Sequence, residues 1–194
     1  MPKIIFISGP PGSGKNTQAK FLSKEFGFPH FDTGDMIRDR LASGEIKDGT
    51  LLEEGFLMPR EQVLQLSQEK ISEMLKADAR GLIISGIPRS SDQAFGTIGV
   101  KGVVDWLSEK LGKQELIFIH INLPEEESIK RNMARGEGRV DDQPEVLETR
   151  LLTYKQETAP LLEELRKRGF NVIEIDGLPS REEVFADIKR HLDK

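Results

Sequence analysis

The sequence predicts an α/β protein, a three-layer α/β/α sandwich built on a parallel sheet of five strands. Five short, largely apolar runs predict the strands. They cover residues 3–8, 27–31, 81–86, 116–121 and 171–175. More than ten residues separate each run from the next, and the spacers contain helical patterns. Spacers of that length join parallel strands through right-handed crossovers, with helices on both faces of the sheet.

The elements between the strands follow from capping residues and apolar spacing. Gln18 to Leu22 have helical spacing after the first strand, and Asp32 to Asp35 predict the cap of a helix that begins near Met36. Residues 43–59 are rich in glycine and charge and predict only short helical pieces. The next helix is amphipathic, and its apolar stripe comprises Val63, Leu64, Leu66, Ile71, Met74 and Leu75.

The second half of the chain continues this alternation. Leu123-Pro124 opens a helix that carries Lys130, Arg131 and Arg135, and another helix begins near Pro144. Between the third and fourth strands, residues 96–104 predict an enlarged surface loop; a surface for a partner is the alternative.

Composition limits the classes of function. A chain of 194 residues favours one domain, and a formal net charge of −5 argues against broad binding to nucleic acid or to an anionic membrane. The sequence has no cysteine, which excludes disulfides and thiolate zinc sites, and no apolar run approaches the ~18 residues of a membrane span. The N-terminus leads directly into the first strand without a signal peptide, so the cytoplasm is the expected location.

The first strand is followed by the glycine-rich stretch Gly9 to Thr17, which has the Gly-x4-Gly-Lys pattern of a phosphate-binding loop of the P-loop NTPase type. Glycines there let consecutive backbone N–H groups face an anion at a helix N-terminus, and Lys15 adds a charge that can reach the outer phosphates. Asn16 follows the lysine, so the hydroxyl that could face a metal comes one place later, at Thr17. An ordinary glycine turn is the alternative.

Basic residues gather at one edge of the predicted sheet, where the strands end and ligands bind. They are Lys15, Arg38, Arg89, Arg131, Arg135, Arg139 and Arg150. Several arginines aimed at one site suit phosphoryl transfer, in which charge spreads over several oxygens. Alternatively, these arginines are solvated or paired with nearby glutamates such as Glu127.

Three smaller features leave two interpretations each. Asp141 and Asp142 could latch a loop by pairing with arginines, or one of them could cap the helix near Pro144. The glycine-rich stretch 135–139 could be a flap over a nucleotide or a surface turn. His30, His120 and His191 have no metal spacing, and we interpret them as structural or solvated.

Four motifs in this order resemble the adenylate kinase family. Gly9 to Thr17 is similar to its phosphate loop, and Thr33 to Arg38 to its nucleoside-monophosphate motif. Gly86-Ile87-Pro88-Arg89 with Gln93 resembles its Asp-Gly-Phe-Pro-Arg-x-x-x-Gln signature. Residues 135–142 followed by Arg150 are similar to its arginine-bearing lid, in the short form without zinc.

The resemblance implies transfer of the terminal phosphoryl group of Mg-ATP to AMP, giving two ADP. It implies a magnesium cofactor and no zinc, ATP and AMP as small-molecule partners, and no nucleic acid or membrane; a monomer is the expected state. The chain would be one kinase domain over 1–194, with an inserted NMP-binding segment at about 32–61 and a short lid at about 132–141. The alternatives are a divergent kinase for another nucleoside monophosphate, or a nucleotide-binding module with weak or no catalysis.

Residue roles carry over from the resemblance position by position. ATP would be bound by Gly12, Ser13, Gly14, Lys15, Asn16, Thr17 and Arg131. AMP would be bound by Thr33, Arg38, Met58, Gly86, Arg89 and Gln93. The catalytic cations would be Lys15, Arg89, Arg135, Arg139 and Arg150, the lid latch Asp141 and Asp142, and the residues near magnesium, through water, Thr17 and Asp35.

The chain departs from the family pattern at several positions. Ser85 stands where the family has an aspartate that helps to hold hydrated magnesium, and Asn16 replaces a glycine. Ile87 replaces an aromatic residue, and Met58-Pro59-Arg60 replaces a valine followed by an acidic residue. Loss of the carboxylate at position 85 removes an acceptor for metal-bound water, which Asp35 could compensate. These departures motivate the binding-module alternative.

Overall fold

The computed structural model describes residues 3–45, 60–78, 80–97, 99–134 and 144–193. Its strands are β1 (Lys3–Ser8), β2 (His30–Asp32), β3 (Gly81–Ser85), β4 (Gly96–Thr97), β5 (Val100–Lys101), β6 (Leu116–Asn122) and β7 (Asn171–Asp176). Five of them form a parallel sheet in the order β2-β3-β1-β6-β7, and β4 and β5 form a separate antiparallel hairpin. The predicted five-stranded parallel sheet is confirmed.

The helices connect successive strands. They are α1 (Lys15–Phe26), α2 (Thr33–Ala42), α3 (Arg60–Ala77), α4 (Ser91–Phe95), α5 (Val103–Leu111), α6 (Glu125–Ala134), α7 (Pro144–Thr153), α8 (Ala159–Lys167) and α9 (Arg181–Leu192). A 3₁₀ turn (Lys113–Glu115) precedes β6, and a π-helical turn (Tyr154–Thr158) joins α7 to α8. None of the helices in the described ranges is long and apolar enough to cross a membrane.

Alternate side chains of the central strands enter two separate cores. On β1, Ile4 and Phe6 face a core that includes residues from α2 to α5 and from α8. Ile5 and Ile7 face a second core with residues from α1 and α9. All four β1 side chains are at most 2% exposed. A strand buried on both faces is the reason that β1 is a continuous apolar run, as parallel sheets require.

Helix α2 begins at Thr33 rather than near Met36, so the predicted start was three residues late. Asp32 is the N-cap, because its Oδ1 accepts a hydrogen bond from the Asp35 N–H at 2.9 Å. Asp32 is also the last residue of β2, so strand, cap and helix follow one another without a loop. The direct junction places the α2 N-terminus at the carboxyl edge of the sheet.

In the region predicted as an enlarged surface loop, 96–104, most of the described residues lie in secondary structure. Its first part is the β4–β5 hairpin, and its last two residues, Val103 and Val104, begin α5 and are completely buried. The loop prediction was therefore wrong for residues 103 and 104. A short apolar run before a helical pattern is ambiguous between a loop and a buried helix start.

Candidate active site

The glycine-rich loop leaves β1 and ends where α1 begins. Gly12 and Gly14 have φ angles of 75° and 87°, in the left-handed region that favours glycine. At Gly12 a Cβ would also lie 3.0 Å from the Ser128 carbonyl oxygen of α6. Ser128 is fully buried, and its hydroxyl donates to the Pro11 carbonyl oxygen at 2.6 Å. Helix α6 therefore supports the loop from behind.

Lys15 is the first residue of α1, and its ammonium group folds back over the loop. Its Nζ donates to the carbonyl oxygens of Gly9 and Pro10, both at 2.8 Å. The side chain is half-buried. A positive charge is thus held at the N-terminal end of α1, where the helix dipole also favours an anion.

One pocket brings together three of the predicted cations, Lys15, Arg89 and Arg150. Lys15 follows β1, Arg89 follows β3 and Arg150 lies on α7, so the three come from distant parts of the chain. The rest of the lining consists of Ile7, Ser8, Gly9, Pro11, Gly86, Pro88, Thr153, Tyr154 and Thr158. A pocket of this kind, at the carboxyl edge of a parallel sheet, suits a polyanion.

The backbone and side chain of Arg89 are both held in place. Its Nε donates to the Gly86 carbonyl oxygen at 2.8 Å, and its backbone N–H donates to Gln93 Oε1 at 2.8 Å. Its carbonyl oxygen accepts from the Thr158 hydroxyl at 2.8 Å. The guanidinium group is therefore oriented before any ligand binds.

Next to Arg89 lie other residues of the predicted acceptor site. A Cβ built on Gly86 would be 3.3 Å from Thr33 Cβ and 3.5 Å from an Arg89 guanidinium nitrogen. In the described ranges, three buried side chains have a polar atom without a hydrogen-bond partner. The Thr33 hydroxyl is one of these atoms. Arg38 forms a short ion pair with Asp35 and lies 3.8 Å from Asp32.

A second pocket lies on the other side of the loop. It is lined by loop and α1 residues, by α6, and by the segment after β7, including Gly12, Thr17, Arg131, Gly177 and Arg181. Arg131 donates to Glu127 Oε1 at 2.8 Å and to the Gly177 carbonyl oxygen at 2.9 Å. The alternative that the arginines pair with nearby glutamates thus holds for Arg131, although it still lines this pocket.

The remaining predicted site residues lie outside the described residues. They are Met58, Arg135, Arg139, Asp141 and Asp142. The same gaps include most of the predicted lid and part of the predicted NMP-binding segment. Their roles stay predictions.

Comparison with known proteins agrees with this geometry. The family model for adenylate kinase matches residues 7–170. The chain belongs to the adenylate kinase family. It is 35% identical to an adenylate kinase of Thermus thermophilus, over 97% of this chain and 96% of that protein. It is 34% identical to adenylate kinase isoenzyme 1 of Sus scrofa (98% and 94% covered) and 33% identical to a UMP-CMP kinase of Danio rerio (100% and 98% covered).

Membership confirms the resemblance drawn from the motifs and the P-loop type of fold. Proteins of the adenylate kinase family are nucleotide-binding phosphotransferases that act on nucleoside monophosphates. The relatives include both adenylate kinases and a UMP-CMP kinase, and family membership therefore leaves the acceptor base open.

Asn16 and Ser85, two residues that depart from the adenylate kinase pattern, are neighbours in the structure. Ser85 Oγ lies 3.4 Å from Asn16 Oδ1 and donates to Asp32 Oδ2 at 2.6 Å. His30 Nε2 lies 2.8 Å from the same hydroxyl. The Asn16 side chain thus lies beside a small, fully buried serine.

Asp32, whose carboxylate accepts the Ser85 proton, was not predicted from sequence as a site residue. Burial by itself would raise the pKa of Asp32, but hydrogen bonds from Ser85 and the Asp35 N–H, and the positive charge of Arg89, outweigh it and leave the pKa below its usual value. Asp32 and Ser85 are the terminal residues of neighbouring strands and are paired in register, which only the fold shows.

A second buried polar group, His120, lies behind the loop. Ser8 Oγ is 3.0 Å from His120 Nδ1 and donates weakly to the Ile119 carbonyl oxygen, and the Tyr154 hydroxyl is 3.0 Å from His120 Nε2. With the serine proton on the carbonyl, Nδ1–H donates to Ser8 and Nε2 accepts from Tyr154, so the imidazole is neutral. Burial lowers the pKa of His120 from 6.5 to about 4, and the nearby Lys15 contributes in the same direction.

This burial predicts a loss of stability in acid. The folded pKa of His120 lies below the unfolded value, so the unfolded chain binds the extra proton, and stability falls as pH drops from 6.5 towards 4. We expect the free energy of unfolding to fall between pH 7 and pH 4.5 by about 2 kcal/mol more in the wild type than in His120→Gln. Urea unfolding at both pH values measures it, with the exposed-site variant His191→Gln as control. Equal acid sensitivity of the wild type and His120→Gln would contradict the prediction.

Proposed function

We propose that this member of the adenylate kinase family transfers the terminal phosphoryl group of Mg-ATP to AMP and forms two ADP. The observation that carries the proposal is the single pocket lined by Lys15, Arg89 and Arg150. Phosphoryl transfer depends mainly on positioning and on neutralising charge spread over the phosphate oxygens. Three cations around one pocket in a protein of net charge −5 match that requirement.

The donor nucleotide would bind across the glycine-rich loop. Its phosphates would be held by the loop N–H groups, the α1 N-terminus and Lys15. Its base would enter the second pocket and lie against Arg131, which hydrogen bonds hold at Gly177 and Glu127. Guanidinium groups stack well on aromatic rings.

The acceptor would bind between α2 and the segment after β3. Arg89 and Arg38 would grip its phosphate. The Arg89 N–H holds Gln93 by Oε1, which orients the amide so that its NH₂ end is the one to meet a base. An NH₂ donor matches the unprotonated N1 of adenine or N3 of cytosine, whereas guanine and uracil carry N–H at the corresponding nitrogen. Hydrogen bonds that leave a buried donor unpaired with the wrong base give strong discrimination.

The reaction would be a direct in-line displacement. An oxygen of the acceptor phosphate forms a bond to the terminal phosphorus of ATP while the bond from that phosphorus to the bridging oxygen of ADP breaks, and no enzyme group is phosphorylated. Lys15 would neutralise the oxygens on the donor side, Arg89 those of the acceptor, and Arg150 the transferred group. The predicted lid at 132–141 would exclude water, which could otherwise accept the phosphoryl group.

The residues beside the loop fit magnesium, which prefers oxygen ligands and retains several waters. Asp32 contributes a carboxylate, which accepts a hydrogen bond from Ser85, and Thr17, the predicted hydroxyl, lines the second pocket. Asp35 was the predicted carboxylate, but its side chain is 56% exposed and pairs with Arg38. When bound, magnesium would add positive charge at the phosphates of ATP.

The UMP-CMP kinase relative supports a second acceptor, CMP or UMP. Cytosine shares with adenine the acceptor nitrogen that Gln93 would recognise, so CMP is the sharper competitor. Departure from the family pattern at Ser85 and Asn16 supports a third possibility, a binding module with weak catalysis.

A nucleotide panel separates these possibilities. With ATP and magnesium, we expect kcat/KM for AMP to exceed that for CMP, UMP, GMP and dTMP by at least about 100-fold, because only adenine matches both the amide donor and the purine shape. A coupled assay of ADP formation measures it. Preference for CMP would replace the proposed acceptor, and no turnover of any of them, with ATP still binding in a thermal-shift assay, would favour the binding module.

A further inference from the structure

The carboxyl ends of two neighbouring strands carry one carboxylate and one hydroxyl. Asp32 ends β2 and Ser85 ends β3, and the two residues are directly paired in the parallel register. In the family pattern the carboxylate stands at position 85. In this chain the hydroxyl stands there, and the carboxylate lies on the adjacent strand.

The contacts around these residues leave the carboxylate at the edge of the site. The Asp32 side chain is only 9% exposed, and its Oδ2 accepts the Ser85 proton at 2.6 Å. That hydroxyl has one proton, so its other neighbours, His30 Nε2 at 2.8 Å and Asn16 Oδ1 at 3.4 Å, do not receive it. Ser85 therefore orients the Asp32 carboxylate by this hydrogen bond, and Asn16 is only a neighbour of the serine hydroxyl.

We propose that Asp32 supplies, from β2, the carboxylate that accepts hydrogen bonds from the water bound to the magnesium of Mg-ATP, in place of the aspartate that the family has at position 85. This inference rests on the proposed function, because it assigns a residue of the same site. It makes Asp32 a residue of the metal's outer shell, with Ser85 holding its orientation.

The alternative is that Asp32 serves only as the cap of α2. Capping uses Oδ1, which accepts the Asp35 N–H at 2.9 Å, and Oδ2 accepts from Ser85. Each carboxylate oxygen has two acceptor positions, so capacity for water remains on both. A neutral asparagine caps a helix as well as aspartate does, and the cap alone therefore gives no reason for a buried charge here.

The size of the neighbouring residues supports the exchange of positions. Position 85 is fully buried, and Asn16 fills the space beside its hydroxyl where the family has glycine. An aspartate at 85 would compete with the Asn16 side chain for that space. Moving the carboxylate to β2 keeps a charge beside the loop and leaves room for the amide.

The test exchanges the two groups. Binding of Mn²⁺, a magnesium substitute, is measured by electron paramagnetic resonance in the presence of the β,γ-imido analogue of ATP. We expect Asp32→Asn to weaken Mn²⁺ binding at least about tenfold, as loss of an outer-shell partner does. Asp32→Ser combined with Ser85→Asp and Asn16→Gly restores the family arrangement, with room for the carboxylate at position 85, and should recover affinity to within about threefold of the wild type.

The control is Asp39→Asn, which removes a carboxylate from the exposed face of α2. Thermal unfolding without ligand verifies that each variant is folded, and Asn or Ser at position 32 retains the cap. Suppose that the protein phosphorylates AMP and that Asp32→Asn and Asp39→Asn bind Mn²⁺ with equal affinity. This result would overturn the inference and leave the proposed function intact. If Mn²⁺ binding depends on Asp32 but the protein shows no turnover, the proposed function is overturned and the inference about Asp32 stands.

Discussion

Replacement of Lys15 by methionine is expected to reduce kcat/KM for phosphoryl transfer by about 10³-fold. Methionine keeps the length and the apolar stem but removes the charge at the α1 N-terminus. In the structure Nζ is held by the carbonyl oxygens of Gly9 and Pro10, so the charge is positioned before the nucleotide arrives. Loss of a preorganised charge affects the transition state more than the bound substrate, and kcat should fall further than KM for ATP rises.

The matched control is Lys20→Met, which makes the same substitution at an exposed position of α1. It changes net charge equally and should leave kcat/KM within about twofold of the wild type, since an exposed charge on a helix is screened by solvent. Steady-state kinetics with ATP varied at saturating AMP gives both constants. A decrease of less than about tenfold in Lys15→Met would show that the loop amides carry the charge neutralisation without the lysine.

The fold was accessible from sequence because its signals are local. The strands β1, β3 and β6 are apolar runs with their own boundaries, and β1 is apolar on both faces because two cores meet it. The glycine-rich loop needed no tertiary information either, since Gly12 and Gly14 take φ angles that few other residues adopt. The strand ends then indicated where Lys15 and Arg89 would converge.

The parts that were missed depend on register and on distant contacts. Asp32 was interpreted only within a capping stretch, because its pairing with Ser85 requires alignment of strands more than fifty residues apart in the chain. His120 was interpreted as structural or solvated, and its burial agrees with the first; its partners Ser8 and Tyr154, which are 112 and 34 residues away, were not predicted. No spacing rule in a single sequence connects such residues.

Ser85 and Asn16 show how two local departures can be one structural change. Taken separately, each suggested a weakened site: a lost carboxylate and a side chain crowded into the loop. In the fold they are neighbours, and the amide lies beside the smaller hydroxyl. Ser85 and Asn16 are therefore one coupled change in the site rather than two independent defects. A coupled change favours an active kinase over a binding module.

Arg89→Lys is expected to lower kcat/KM for AMP by about 10²-fold to 10³-fold while KM for ATP changes less than about threefold. Lysine keeps the charge but lacks the planar fork, and it cannot reproduce the Nε bond to the Gly86 carbonyl oxygen that orients the guanidinium. The backbone bonds of Arg89 to Gln93 and Thr158 are unaffected by the substitution, so the Gln93 amide, which we propose recognises the base, stays in place. The effect is thereby confined to the phosphate.

The control for Arg89→Lys is Arg190→Lys on α9, whose side chain is 74% exposed and pairs within its own helix with Asp187. It should leave both constants within about twofold of the wild type, because a surface ion pair contributes little. Initial rates with AMP varied at saturating ATP, then the reverse, separate the two substrates. Equal decreases in kcat/KM for ATP and for AMP would mean that Arg89 acts on the donor phosphates or on the fold. Arg38 would then be the candidate that binds the AMP phosphate. A loss confined to AMP, with the preference for AMP over CMP unchanged, is the result that phosphate recognition by Arg89 and base recognition by Gln93 require together.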